Sequence, residues 1–273
     1  MMKIVPLPDN AREMPYYDVI HTPLVKPTEA AITKAKTFRG DPTQGLRFED
    51  RAQVQAPDFQ IRPQATYLMD DGSIYLSSST PTPDITGPMM DWWMIWHQLE
   101  PLRYALWNPE DHYNVALSAE DREQFLNSDK PYVQRIWNTS SIVTESFNGE
   151  KPNTAPLNFV EPNVVGLNNA LLGTDGCMSM IIANNTISAG PVKIPVFMIE
   201  SIRLDGEGNK VWNVNAWVGR GYKNGKPVAM KLPMRDKIAT NVGMLIVHSN
   251  KEMAHLNTVL PGLYRDYSNK PLI

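Results

Sequence analysis

Residues 244–264 have the sequence MLIVHSNKEMAHLNTVLPGLY, on which the fold prediction for the whole chain depends. The run is long and mixes apolar and polar residues at helical rather than alternating spacing, so it predicts an α-helix. Asn241 or Thr240 is the predicted N-cap. On this helix His248 and Glu252 stand one turn apart on the same face. An imidazole and a carboxylate so placed can bind one divalent cation, although the same spacing also occurs in ordinary surface contacts.

The sequence before this helix predicts antiparallel strands. Alternation and β-forming residues favour strands within residues 132–159, 176–183, 195–204 and 210–218, and a DGEGN turn joins the last two. An antiparallel sheet with one apolar face must be covered. One long helix laid across a curved sheet covers it and leaves a cavity between the two. The sequence therefore predicts an α+β helix-grip fold, with a curved antiparallel sheet over a long C-terminal helix.

The N-terminal part of the chain has a different character. Prolines recur through residues 1–65, which predicts an irregular arm with one short helix at residues 29–37. Residues 65–78 predict a β-hairpin about a D-D-G turn. We therefore expect two regions, a small N-terminal arm or subdomain at residues 1–80 and the helix-grip domain at residues 81–273.

Composition excludes several classes of protein. The chain of 273 residues has a formal net charge of −3 and no lysine- or arginine-rich block, which argues against an electrostatic grip on nucleic acid. No apolar run approaches the length of a bilayer span, so no membrane association is expected. The N-terminus lacks the apolar segment of a signal peptide. A single cysteine, Cys177, excludes an intrachain disulfide, and a cytoplasmic location is the default prediction.

The most unusual stretch is MDWWMIWHQLEPLRYALW at residues 90–107, which has four tryptophans. It predicts a helix interrupted near Pro101. The helix is either a very apolar element buried against the sheet or an aromatic wall that lines a ligand pocket, and the two interpretations are compatible. His97 within the stretch is interpreted as a structural hydrogen-bonding residue.

Further candidate metal ligands lie outside the terminal helix. His112 is predicted in a loop after Pro109, and Glu145 is predicted within a strand. Together with His248 and Glu252 they supply two imidazoles and two carboxylates. This mixed nitrogen and oxygen set suits zinc, iron or manganese, and it fits a catalytic site better than a thiolate-rich structural one.

Two segments carry a resemblance to a known family. The sequences DWWMIWHQLEPLRYALWNPEDHY and LIVHSNKEMAHLNTVLPGLY, with VTESFNG and LNFVEPNVVGL between them, resemble the 2,4-diacetylphloroglucinol hydrolase family, to which phloretin hydrolases also belong. The resemblance covers roughly residues 65–264. By position in the family motifs, it implies that His112, Glu145, His248 and Glu252 hold the metal, which is Zn²⁺ or alternatively Fe²⁺ or Mn²⁺.

The same resemblance implies a fold, an assembly and a reaction. The expected fold is a Bet v 1-like helix-grip domain behind a smaller N-terminal region, and the expected assembly is a homodimer. The expected reaction is hydrolysis of the carbon–carbon bond between an aromatic ring and an acyl carbonyl of a small aromatic ketone. Tyr104 matches a family tyrosine that hydrogen-bonds the substrate, although a buried aromatic with a satisfied hydroxyl would explain it equally well.

The chain departs from the family pattern in one respect. Members carry a further site histidine before the segment that corresponds to Trp217–Gly219, whereas this chain has no histidine between His112 and His248. Glu200 is the titratable group nearest that place. It either substitutes as the catalytic proton carrier or is an exposed strand residue.

Three functional hypotheses follow. The first is a metal-dependent hydrolase that cleaves the carbon–carbon bond of an acylated, phloroglucinol-like phenol or a β-diketone-like ketone. The second is a non-catalytic helix-grip carrier of an apolar ligand, which the absent histidine keeps open. The buried carboxylates argue against a carrier, because burying them without a cation is costly. The third is a metal-dependent enzyme that performs another reaction, as a lyase or isomerase, on a polyketide-like ketone.

Overall fold

The computed structural model describes residues 2–127, 129–147, 150–189 and 192–272. The helices are α1 (Glu29–Thr37), α2 (Gly87–Trp96), α3 (Pro101–Ala105), α4 (Ala119–Leu126), α5 (Tyr132–Arg135) and α6 (Arg235–Tyr267). The strands are β1 (Arg39–Gly40), β2 (Ala65–Leu68), β3 (Ile74–Pro81), β4 (His112–Leu117), β5 (Ser140–Glu145), β6 (Asn153–Asn158), β7 (Ser179–Ala189), β8 (Val192–Leu204), β9 (Lys210–Val218), β10 (Arg220–Lys223) and β11 (Lys226–Ala229).

The main sheet has six strands in the order β1-β2-β3-β9-β8-β7. Its pairs are antiparallel apart from the short parallel pair of β1 with β2. The sheet is curved, and α6 lies across it, with Asn250 of α6 accepting hydrogen bonds from Ser78 and Thr80 of β3. The predicted α+β helix-grip fold is therefore confirmed.

The two faces of this sheet bury different sets of residues. Because side chains alternate along a strand, Ile202 and Val214 face α6 and pack with Leu256 in the larger core. The opposite face carries Phe197 and Trp217, whose cover includes the 3-10 helix Phe48–Gln55. The face toward α6 is therefore the one on which a site can form, between the sheet and the helix.

A smaller sheet of β4, β5 and β6 supplies the other wall of the site. His112 begins β4, where it pairs with Glu145 at the end of β5. The prediction that His112 lies in a loop is therefore wrong. The preceding turn closes where the His112 amide bonds the Asn108 carbonyl at 3.0 Å, and β4 begins at this same residue. The predicted strand region 132–159 contains α5, β5 and β6 rather than one strand.

The long terminal helix is confirmed, but its predicted start is wrong. The helix begins at Arg235 after Met234, which has φ 48° and gives no side-chain cap. Both predicted caps therefore lie inside the helix. Hydrogen bonds to other elements explain the longer helix, because Arg235 Nη1 donates to the Met69 carbonyl at 2.6 Å and Arg39 Nη2 donates to the Asp236 carbonyl at 3.2 Å. Contacts with the rest of the fold hold this first turn where no side-chain cap does.

The aromatic stretch forms α2, the 3-10 helix His97–Leu99 and α3, with the predicted interruption just before Pro101. Trp92, Trp93 and Trp96 are fully buried in the core. Trp107 instead stands edge-on to His112, with ring centroids 5.6 Å apart. One stretch thus supplies both core and site wall. Among the described residues, no helix is long and apolar enough to cross a membrane.

The predicted N-terminal region shares its hydrogen bonds with the rest of the fold. The hairpin β2–β3 forms as predicted, and β3 pairs along its whole length with β9. α1 occupies residues 29–37, as predicted. The division of the chain at residue 80 stays a prediction.

Candidate metal centre

Three elements meet at a cluster of metal-binding groups. His112 from β4, Glu145 from β5 and His248 from α6 offer ligand atoms that all lie within 4.8 Å of one another. The antiparallel register sets His112 beside Glu145, and the long helix brings His248 over them. These residues form a candidate metal-binding triad.

Glu252 joins the two histidines of this triad. Its Oε2 lies 3.2 Å from His112 Nε2 and 3.1 Å from His248 Nε2. The contact with His248 joins positions i and i+4 of α6, as the sequence predicts. All four predicted ligands are therefore brought together, with both Nε2 atoms converging on the same point.

The charges of this cluster are strongly coupled. Burial favours neutral Glu252, but the His248 and His112 imidazoles outweigh it and hold the pKa of Glu252 well below its ordinary value. Burial likewise disfavours charged His248, yet the Glu252 and Glu145 carboxylates raise its pKa. Without a metal, His248 and Glu252 thus form an ion pair.

The donor set fits a divalent cation. His112 Nδ1 donates to the Tyr104 carbonyl at 3.3 Å, which orients the ring so that Nε2 faces the cluster. Nε2 is buried and makes no well-aligned hydrogen bond with the described residues, even to Glu252. Two imidazoles and two carboxylates are ligands that suit Zn²⁺, Fe²⁺ or Mn²⁺.

Tyr104 lies directly beside the cluster. Its hydroxyl donates to Glu145 Oε1, and its ring stacks on His112 with centroids 4.4 Å apart. Burial, reinforced by the Glu145 charge, raises the pKa of Tyr104 well above its ordinary value, so the phenol stays neutral. His97 stacks on the other side of Tyr104 and hydrogen-bonds the Trp93 carbonyl at 2.6 Å, in keeping with its predicted structural role.

Glu200 lies on the face of the main sheet that looks toward α6. It pairs with Val214 in register and is partly buried, so the interpretation as an exposed strand residue is wrong. Burial and the nearby charges of Glu252 and Glu145 raise the pKa of Glu200 to about 8, against a smaller opposing effect of His248. Without a metal, Glu200 is thus held largely protonated at neutral pH.

Asn213 and Asn215, which lie near the place of the missing histidine, point the other way. Asn213 donates to the Ser78 carbonyl at 3.0 Å, and Asn215 accepts a hydrogen bond from Tyr75 at 2.6 Å. Both are fully buried on the face remote from α6. Neither therefore substitutes for a histidine of the site.

Sequence reasoning missed three residues around His248. The Phe147 ring contacts the imidazole with centroids 4.8 Å apart. Asp111 Oδ2 lies 3.9 Å from His248 Nδ1 and 2.6 Å from Lys251 Nζ. Lys251 stands three positions after His248 on α6, a spacing that could have indicated a shared face.

Comparisons with known proteins agree with the resemblance inferred from the sequence. The family profile described as DAPG hydrolase PhiG domain matches residues 46–265. Phloretin hydrolase of Eubacterium ramulus is 29% identical over 210 residues, covering 72% of this chain and 69% of that protein. The 2,4-diacetylphloroglucinol hydrolase of a Pseudomonas species is 25% identical over 236 residues, covering 80% and 76%. A crystal structure of Ara h 8.0201 aligns with a TM-score of 0.40 at 10% identity, over 70% of this chain and 99% of that one.

Proposed function

The chain belongs to the DAPG hydrolase family, and on that basis we propose that it is a metal-dependent hydrolase of a carbon–carbon bond in a small aromatic ketone. The bond joins a phloroglucinol-like ring, or a β-diketone-like carbon, to an acyl carbonyl. The names of the relatives, phloretin hydrolase and 2,4-diacetylphloroglucinol hydrolase, support this substrate class. The single observation that carries the proposal is the convergence of His112, Glu145, His248 and Glu252.

The overall reaction adds water across the ring–acyl bond. Water supplies hydroxide to the acyl carbon and a proton to the ring carbon, and the products are a carboxylic acid and the deacylated phenol. A Zn²⁺ ion held by His112, Glu145, His248 and Glu252 would supply Lewis acidity and would lower the pKa of water at the site. The ring leaves readily once it is protonated at the acyl-bearing carbon, because it then departs as a stabilised enolate.

We assign the proton-handling roles to Glu200 and Tyr104. The protonated Glu200 carboxyl faces the cluster from the sheet and donates the proton that the ring carbon requires, and the proton released by the attacking water then restores the carboxyl. The neutral Tyr104 phenol, on the opposite wall, donates a hydrogen bond to a substrate oxygen. In the structure this hydroxyl bonds Glu145, so it already points toward the metal ligands.

Tyr104→Phe is expected to retain the metal and slow turnover. The change removes the proposed hydrogen bond to the substrate oxygen, on which negative charge develops during the reaction. A hydrogen bond to a charged group contributes about 1.5–3 kcal/mol, or roughly 10- to 100-fold in rate. The ring stack with His112 is kept, so the fold and the ligands should persist. Metal content and kcat measured on the same preparation test this expectation. An unchanged kcat would reduce Tyr104 to a packing residue.

Metal analysis of the purified protein, with an assay for acid release from phloretin and from diacetylphloroglucinol, tests the proposed function itself. We expect one equivalent of metal per chain, turnover of at least one of the two ketones, and loss of turnover after treatment with a chelator. Metal without turnover would favour another reaction on a related ketone. A protein that binds no metal would contradict the proposal and favour a carrier of apolar ligands.

The identity of the metal, the assembly and the cellular location are also proposals. We propose Zn²⁺ as the metal, a homodimer as the assembly and the cytoplasm as the location. The metal analysis identifies the ion, and sedimentation of the purified protein determines the assembly.

A further inference from the structure

A buried ion pair lies directly behind the proposed metal ligands. Asp111 is fully buried and Lys251 is 5% exposed, and their charged atoms are 2.6 Å apart. Burying such a pair costs more desolvation energy than a surface pair does, and pairs of this kind are often replaceable by apolar residues without loss of stability. Its position beside His248 therefore suggests a role other than stabilising the fold.

The second ring nitrogen of His248 points at this pair. Nε2 faces Glu252, whereas Nδ1 is buried and makes no hydrogen bond with the described residues. Asp111 Oδ2 lies 3.9 Å from Nδ1. The other histidine of the cluster has the equivalent partner, because His112 Nδ1 meets the Tyr104 carbonyl. Metal-binding histidines usually donate this second N–H to a carboxylate or carbonyl, which fixes the ring orientation.

The Asp111 carboxylate is held firmly in this position. Ser146 donates to Oδ1 at 2.6 Å, and the Ser146 amide bonds the Asp111 carbonyl at 2.8 Å. Asn108 donates to Oδ2 at 3.2 Å, on the same oxygen as Lys251. Because Ser146 follows Glu145 and Asp111 precedes His112, these bonds join the ends of the two ligand-bearing strands.

We propose that Asp111 is a positioning residue of the metal site, which accepts the Nδ1–H of His248 in the metal-loaded protein, and that Lys251 holds its carboxylate in place. The inference rests on the proposed metal centre. Asp111 acts through the imidazole and touches neither the metal nor the substrate. Substitution of Asp111 should therefore act on the affinity for the metal, and on catalysis only through the metal.

Titration of the metal-free protein with Co²⁺, followed by competition with Zn²⁺, tests this role. Co²⁺ has a visible spectrum that reports its ligands, so binding is measured without any activity assay. We expect Asp111→Asn to bind both metals about 10- to 100-fold more weakly than the wild type, as found when such partners are removed from other sites. The control Asp84→Asn removes an exposed aspartate that also bonds α6, through Asn257, and should leave the affinity unchanged.

Two further variants separate positioning from folding, since Asp111→Asn leaves Lys251 buried beside the more distant Glu110. Lys251→Met retains the carboxylate and should lose less affinity than Asp111→Asn. The double variant removes both charges and should fold yet match Asp111→Asn in affinity. Equal losses of metal affinity in the two single variants, or wild-type affinity in the double variant, would overturn the positioning role of Asp111 and leave the proposed metal centre intact. A wild-type protein that binds neither Co²⁺ nor Zn²⁺ would overturn the metal centre together with it.

Discussion

Glu252→Gln is expected to abolish stable metal binding and to lower kcat/KM by more than about 100-fold. Removing a residue that only orients a metal ligand already lowers metal affinity or activity by about 10- to 100-fold, and Glu252 is a proposed ligand itself. Glu252 Oε2 lies within 3.2 Å of the Nε2 atoms of both imidazoles. Glutamine has the same shape but no charge, so the change removes the anionic ligand without opening a cavity. His112→Ala should have an effect of similar size, since it deletes a ligand from the opposite wall.

Metal content after dialysis, measured beside kcat/KM, is the required pair of observations. Asp266→Asn is a suitable control, because it removes a carboxylate from the exposed end of the same helix. Retention of full metal by Glu252→Gln and by His112→Ala would eliminate the proposed site. Loss of metal with unchanged turnover would separate the metal from the reaction.

Local spacing was sufficient to predict one half of this site. His248 and Glu252 are neighbours on any helix, so their contact follows from their separation in the sequence once the helix is identified. The interrupted aromatic helix and the strand at 210–218 were predictable for the same reason. The start of α6 was not, because the turn that begins at Arg235 is held by hydrogen bonds from Arg235 to the Met69 carbonyl and from Arg39 to the Asp236 carbonyl, and not by a side-chain cap.

The other half of the site depends on contacts between distant parts of the chain. The pairing of His112 with Glu145 requires the register of two strands, which the residue types alone do not specify. Asp111 and Lys251 are separated by 140 positions, and no local pattern connects them. Glu200 could have faced either side of β8 until the pairing with Val214 fixed its direction.

Glu200→Gln is the variant that tests the departure from the family pattern. General acid–base catalysis contributes about 10²- to 10⁴-fold, so we expect a loss of that order in kcat with the metal retained. Glutamine keeps the shape and can still hydrogen-bond, but it cannot deliver a proton. Glu207→Gln, in the exposed turn between β8 and β9, is the matched control. Unchanged kcat in Glu200→Gln would assign the proton transfer to another group.

The dependence of the rate on pH shows whether Glu200 acts as an acid or as a base. Burial and the Glu252 and Glu145 charges raise the pKa of Glu200 to about 8, so a general acid at this position is active below that pH and fails above it. A bound cation favours the carboxylate and shifts the descending limb of the wild-type rate profile to lower pH. The limb should be absent in Glu200→Gln. A profile that instead rises through this range would identify Glu200 as a base.

A stability measurement on the metal-free protein checks the same residue without catalysis. The folded-state pKa of Glu200, about 8, lies above the ordinary value of 4.5, so the folded protein keeps a proton that the unfolded chain has lost between these values. The contribution of Glu200 to folding stability therefore falls as pH rises through this window. Glu200→Gln lacks the ionisable group, so its Tm relative to wild type should increase from about pH 5 to about pH 8. A Tm difference that is constant with pH would mean that Glu200 is not held protonated, and the acid role would fail with it.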